Sequence, residues 1–389
     1  MSQSKIRPYL HLIKRELFFL FKADKRRAVF LILAASAYLI FFSILYQQGS
    51  VTEIPTIVLD QNNSALSRKI VQCIDDSDTF HVVDMPLNLE EFQHKMSHGK
   101  ELAGFIIPTD FNKEAESGRS TQILLVVEGS NLLITSSSSI GAMEIVQTFS
   151  KEKGIHLLEK NVSLASLEAT QKVEPVSFSY RVLGNQTRNY MYYLVLGLFL
   201  AAFQQGLFIG IGASFLYKFQ GIAAKELELN WLMRYVAKIS PYLILGICGY
   251  GLAIFLSYFV FHFPFNNALY EMLTLGAAFA FAIINIGGVI ANLVRNELTY
   301  NRICIAYVVP AFILSGCTWP VEGMVKPIQK LSSLSPLTYM ATTFRELFLN
   351  GHSSHWQQNT FILCFIGLAA FFFAAYLYNR RIKMIVAQI

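Results

Sequence analysis

The strongest constraint on this chain is a set of long apolar runs almost free of charge. About twenty such residues cross the hydrocarbon core of a bilayer as a helix. Inside lipid, only helices and closed barrels satisfy their own backbone groups. The runs lie at 28–46, 190–217, 239–261, 269–294 and 360–378, with a shorter one at 303–317. They predict a polytopic α-helical membrane protein with six transmembrane helices. Composition agrees, with 53% hydrophobic and only 15% charged residues, where soluble domains carry roughly 25% charged. The formal charge of +6 needs no nucleic acid to explain it, since much of it flanks the apolar runs. Cys73, Cys248, Cys304, Cys317 and Cys364 form no C-x-x-C pair, and four of them lie in or beside apolar runs. That pattern argues against both a metal site and a disulfide framework.

Residues 1–27 precede the first run. Ile6, Leu10, Ile13, Leu17 and Leu20 fall at helical spacing, with Lys5, Lys14, Arg15 and Lys22 around them. This reads as an amphipathic basic helix suited to an anionic membrane surface, or as a plain juxtamembrane segment. The first run follows Lys22, Lys25, Arg26 and Arg27. Ala35-Ser36-Ala37 has the look of a signal-peptide cleavage triplet, but it sits inside the apolar run and not after it. The reading is an uncleaved membrane helix with its N-terminus inside.

Residues 47–188 change character. Strand patterns at 54–60, 79–83, 103–107 and 122–127 alternate with helical patterns at 64–74, 89–98 and 135–161, with Ser64 as an expected N-cap. Alternation of this kind predicts an inserted α/β domain, on the outer side by the topology. His94 and His98 have a spacing that can ligate zinc on a helix, yet no Glu follows the first His as a metalloprotease helix needs. A solvated helix face is the simpler reading. The Asp75-Asp76-Ser77-Asp78 cluster reads as an acidic turn. Sequons at Asn62, Asn161 and Asn185 matter only in a eukaryotic secretory route.

The remainder, 189–389, is a transmembrane domain. Its first run holds Gln204-Gln205 and then Gly206-x-x-x-Gly210, where small residues one turn apart permit close helix packing. Polar residues at lipid depth face protein or a cavity, and Gln204, Gln205, Asn285 and Asn292 are candidates for lining a path or for bonding between helices. Residues 218–238 form a mixed-charge loop that includes Lys218, Lys225, Glu226, Glu228, Arg234 and Lys238. The short loops with basic residues alternate with a turn at 262–267 that has no Lys or Arg, so both termini are placed in the cytoplasm.

Between the fifth and sixth runs, the apolar sequence ends at Ser315-Gly316, and Pro320, Pro327 and Pro336 follow before Arg345. Each proline breaks or starts a helix, which predicts short helical pieces in the outer segment 318–350. An ordinary loop is the bland alternative. The order Ser315-Gly316, Pro320, Pro327, Ser335-Pro336-Leu337-Thr338-Tyr339, Arg345 resembles the C-terminal signature of ABC-2 type transporter permeases. Lys326 before Pro327 departs from the family's usual uncharged residue. Pro108-Thr109-Asp110-Phe111 and Val127-Glu128-Gly129-Ser130-Asn131 resemble the subfamily with a large insertion after the first membrane helix, and Arg15-Glu16 matches its basic-Glu pair.

The resemblance implies the permease half of an exporter in the bacterial inner membrane. Two ATPase copies and a second permease, identical or paralogous, are the implied partners, with a periplasmic adaptor and membrane lipid beside them. It places ATPase docking in the 218–238 loop, at Lys225, Glu226, Glu228 and Arg234, although the family's usual pattern there is missing. Ser315, Gly316, Pro320, Pro327, Pro336 and Arg345 would shape the exit. No G-x-x-x-x-G-K-[ST] loop occurs, so no cofactor is expected on this chain, and ATP with Mg would act through the partner ATPase. The expected cargo is hydrophobic or amphipathic: a drug, a lipid or an envelope factor. The main alternative is a membrane-anchored sensor or assembly scaffold, whose outer domain binds a ligand or partner protein. An ion-coupled transporter fits poorly, because the runs hold no carboxylate apart from Glu271 near an end. A membrane enzyme lacks a shared constellation of Ser, His and Asp.

Overall fold

The computed structural model describes residues 3–162, 185, 189–216, 229–263 and 268–386. The chain opens with α1 (Gln3–Phe18), a π turn at Phe19–Ala23 and α2 (Lys25–Leu45). Next come β1 (Ile54–Asp60), α3 (Ala65–Asp75), β2 (Phe80–Asp84), α4 (Leu89–Ser97), β3 (Ala103–Ile107), α5 (Phe111–Glu116), β4 (Leu124–Val127) and α6 (Leu132–Val162). Four long helices follow: α7 (Tyr190–Leu216), α8 (Trp231–Phe259), α9 (Leu269–Leu293) and α10 (Glu297–Leu314). A 3-10 turn at Val321–Gly323, α11 (Lys326–Ser332), α12 (Pro336–Asn350) and α13 (Trp356–Val386) complete the chain. Contacts divide it into two units, Met1–Gly49 with Val182–Ile389, and Ser50–Arg181.

In the first unit, α2, α7, α8, α9, α10 and α13 are long and apolar enough to cross a membrane. The bundle is centred on α7, which packs against α2, α8, α9, α10 and α12, while α9 pairs along α13. Tyr242, Tyr250, Phe199, Phe203 and Phe208 are fully enclosed there. Two glycines let the backbone of α2 be gripped from both sides. A Cβ on Gly206 of α7 would lie 2.9 Å from the Phe30 carbonyl oxygen, and one on Gly249 of α8 would lie 2.5 Å from that of Ile32. The Gly206-x-x-x-Gly210 pair therefore packs against α2, with Leu31 filling the space beside Gly210.

Three spanning helices have boundaries that differ from the sequence expectation. The third spanning helix begins at Trp231 and not at 239, so Arg234 and Lys238 belong to a helix and not to the loop. Both are buried, and the partners they find explain why charge did not end the helix. The fifth runs from Glu297 to Leu314 where 303–317 was expected. Asn296 caps its start by accepting from the Thr299 amide at 2.8 Å, and Arg27 of α2 pairs with Glu297 at 2.7 Å. The last helix likewise passes through Arg380, Arg381 and Lys383 to Val386, with Arg381 donating to the Ala291 carbonyl at 2.9 Å.

The second unit holds a four-stranded sheet in the order β2-β1-β3-β4. Strand β1 is parallel to β2 and β3, and β3 is antiparallel to β4. Alternation along β1 sends Ile54 and Val58 into a core with Ile70, Ile74, Phe111 and Phe149, which come from α3, α5 and α6. Ile57 and Leu59 meet Phe92 of α4 on the other face. Ser64 caps α3 as expected, in a reciprocal capping box with Ser67. The short helix α5 was not expected from the sequence.

Candidate functional site

The most concentrated polar chemistry in the first unit surrounds one carboxylate on α1. Leu12 and Glu16 lie one turn apart on its buried face, and Leu20 of the π turn continues that face. Leu12 packs with Leu229 and Ala237, which carries Glu16 into a junction of three helices. Glu16 Oε1 accepts from Lys238 Nζ of α8 at 2.8 Å. Its Oε2 accepts from Tyr242 Oη of α8 at 3.0 Å and from Ser214 Oγ of α7 at 2.9 Å. Arg15 lies 3.6 Å away. The Lys238 ammonium also sits 5.2 Å from the Phe215 ring centre and 5.7 Å from that of Tyr378. Burial pushes the Glu16 carboxyl up, but the Lys238 charge and the hydrogen bonds from Lys238 and Ser214 outweigh it, so the group stays below its ordinary value.

Sequence reasoning took Arg15-Glu16 only as a pair and assigned Lys238 to a loop. The buried face is turned from the expected stripe of Ile6, Leu10, Ile13, Leu17 and Leu20, since Leu10 is exposed while Leu12 and Glu16 are buried; the signal for it was Glu16 at one-turn spacing between Leu12 and Leu20. Of the loop residues expected to dock an ATPase, Lys225, Glu226 and Glu228 lie outside the described residues. Arg234 is buried in α8 and donates to the Leu229 carbonyl at 3.0 Å. It is therefore not an open loop contact, because its guanidinium serves to close the start of its own helix.

The proline-broken segment forms a hydrogen-bonded corner. Ser315 caps α10, and Gly316 turns the chain at φ +83°, a conformation that favours glycine. Pro320 precedes the 3-10 turn, while Pro327 and Pro336 stand in the first turns of α11 and α12. Ser332 Oγ donates to the Leu314 carbonyl at 2.7 Å, and Thr338 Oγ1 to that of Ser332 at 2.8 Å. Arg345 donates to the Gly316 carbonyl at 3.2 Å and lies 4.5 Å from the Tyr193 ring centre. Leu337, Met340, Phe344, Leu347 and Phe348 of α12 are buried in the bundle core. The turn at Ser315–Cys317 and helix α12 thus pack inside protein, while Trp319, Val325, Leu331 and Leu334 on the stretch between them are exposed.

The polar residues of the spans are each placed differently. Asn285 accepts from Tyr235 Oη at 3.0 Å and donates to the Phe281 carbonyl at 2.7 Å, and it is fully buried. Its role here is bonding between helices. Asn292 donates to the Gly288 carbonyl at 2.8 Å. Gln204 is fully buried with neither amide atom hydrogen-bonded, and Gln205 Oε1 is likewise buried without a partner, among the described residues.

In the second unit, His94 and His98 stack with ring centres 3.9 Å apart. Asp75 Oδ1 accepts from the Val82 amide at 2.9 Å, which gives that acidic turn a structural task. Among the described residues, no group of three or more His, Cys, Asp and Glu side chains is placed to hold a metal.

The profile of the ABC-2 family transporter proteins matches residues 28–378. The chain belongs to that family. Similar proteins include the probable multidrug ABC transporter permease YbhR of Escherichia coli K12, 21% identical over 373 residues, which are 95% of this chain and 97% of YbhR. The probable multidrug ABC transporter permease YbhS of the same strain is 22% identical over 269 residues, 68% of this chain and 69% of YbhS. No solved structure matches the chain. The chain is thus a multi-pass membrane protein of a family whose permeases work with an ATPase subunit and a second permease and are not themselves enzymes.

Proposed function

We propose that this permease exports a hydrophobic or amphipathic compound across a bacterial inner membrane, on ATP hydrolysed by a separate ATPase subunit. The family match across residues 28–378 carries this reading, since it reaches into all six apolar helices and spans the proline-broken segment. Drug-like cargo is favoured by the multidrug names of YbhR and YbhS. Both termini lie in the cytoplasm and the Ser50–Arg181 unit lies outside, where it is free to meet an adaptor. The ATPase docks at the segment between α7 and α8, through Lys225, Glu226 and Glu228, and brings ATP with Mg. Two permeases and two ATPases make the working unit. Bare apolar faces on α2 (Val29, Phe30, Phe41, Ile44) and α13 (Phe361, Phe365, Phe372, Phe373) are available to lipid and to the second permease. Export needs two global states that ATP favours unequally.

The test is co-purification in mild detergent with the ATPase encoded beside this chain, followed by hydrolysis measured in vesicles. A complex with two copies of each subunit, whose hydrolysis depends on the permease, is the expected result. Absence of any complex under mild conditions would remove the engine and overturn the exporter reading.

A further inference from the structure

The Glu16 junction has a position that bears on how the two proteins communicate. Its partners are Ser214 of α7, two residues before Leu216, and Lys238 and Tyr242 in the N-terminal half of α8, which starts at Trp231. These stretches of α7 and α8 flank the expected docking segment. The carboxylate thus ties α1 to α7 and to α8 simultaneously, through three hydrogen bonds of 2.8–3.0 Å. Leu12, Leu229 and Ala237 add an apolar contact between α1 and the start of α8. A buried ion pair is a weak source of stability, since its desolvation offsets most of its attraction. What it supplies well is a single permitted register, because any other arrangement of α1 leaves both charges buried and unpaired.

From this we infer that Glu16 is a positioning residue for ATP-driven movement. It holds α1, α7 and α8 as one body at the ATPase end of the permease, so that displacement there reaches the two membrane helices together. This rests on the exporter reading for its consequence, but the one-body claim stands on the geometry of this chain.

The test separates the two. On the permease alone in lipid nanodiscs, hydrogen exchange is compared for the native chain, Glu16→Gln and Lys238→Met. Gln keeps the size of Glu and can still accept from Ser214 and Tyr242, and the double variant Glu16→Gln/Lys238→Met is measured beside it so that the ion pair is lost without a stranded buried charge. Exchange in α1 and across 231–242 is expected to rise together, roughly tenfold, while α9 and α13 are unchanged. Unchanged α1 exchange in both variants overturns the one-body claim. In complex with the ATPase, Glu16→Gln is expected to bind but to lose the dependence of hydrolysis on the permease. Cross-linking cysteines placed at Leu12 and Ala237, in a background without the native cysteines, is expected to restore that dependence. A merely structural loss would lower yield and melting temperature, and cross-linking would not restore coupling; that result would overturn the positioning role. If the native permease binds no ATPase, the exporter reading falls, and the exchange result still decides whether Glu16 holds the three helices together.

Discussion

At the scale of single residues, the Glu16–Lys238 pair makes two predictions that can be read without knowing the cargo. Both side chains are nearly excluded from solvent. Lys238→Met removes the cation and strands a buried carboxylate, which costs about 3–5 kcal/mol. The double variant Glu16→Gln/Lys238→Met removes both charges and is expected to recover much of that loss. Thermal unfolding in detergent measures the cycle, and purely additive effects would show that the pair is not coupled. The second prediction concerns pH. Because the folded Glu16 carboxyl lies below its ordinary value, the unfolded chain takes up the proton first as pH falls. The contribution of Glu16 is therefore fully present above the ordinary carboxylate value and is lost as pH drops through the folded one. As pH falls from about 5 through the ordinary carboxylate value and below it, the native protein should lose more melting temperature than Glu16→Gln. Equal losses would mean that the carboxylate gains nothing from its partners.

At the scale of elements, the clasp on α2 is a place where backbone packing leaves no slack. On Gly249 a Cβ would meet backbone, the Ile32 carbonyl oxygen at 2.5 Å and Cα at 2.9 Å. Gly249→Ala must then push α2 away from α8, at a cost of about 1–3 kcal/mol. A melting temperature unchanged in Gly249→Ala would place α2 elsewhere. Helix existence and strand alternation were legible in the sequence, because a buried face repeats at a fixed period: β1 at 54–60 and the Ser64 cap follow from it directly. The ends of α8 and α10 were not, because a charge was read as a stop signal. Arg234, Lys238 and Glu297 each find a partner or a carbonyl in the fold, and a paired charge does not end a helix. The same blindness hid the Glu16 junction, whose two charged members are 222 residues apart in sequence. Pro327 and Pro336 were legible as helix starts since a missing amide has only a few tolerable positions. The bonds of Ser332, Thr338 and Arg345 that close the corner around Gly316 depend on tertiary placement.

At the scale of the whole molecule, the proposed export requires α1 and the helix ends around it to face the side that holds ATP. The short loops and the N-terminal segment are rich in Lys and Arg, and such loops stay in the cytoplasm, whereas a long inserted unit crosses regardless of its charge. On the proposed topology α1 and the Glu16 junction lie inside, where ATP is, and the Ser50–Arg181 unit lies outside. Two positions report on it directly. Leu87 in the second unit is 91% exposed, and Lys14 on α1 is exposed on the face opposite Glu16. Single cysteines at these positions, in a chain without the native cysteines, are treated in spheroplasts with a maleimide that cannot cross membranes. Leu87→Cys is expected to label at once, and Lys14→Cys only after the membrane is opened. The reverse pattern would turn the whole topology over. It would place the Glu16 junction on the side without ATP, and an outward pump driven through α1, α7 and α8 would then be physically excluded.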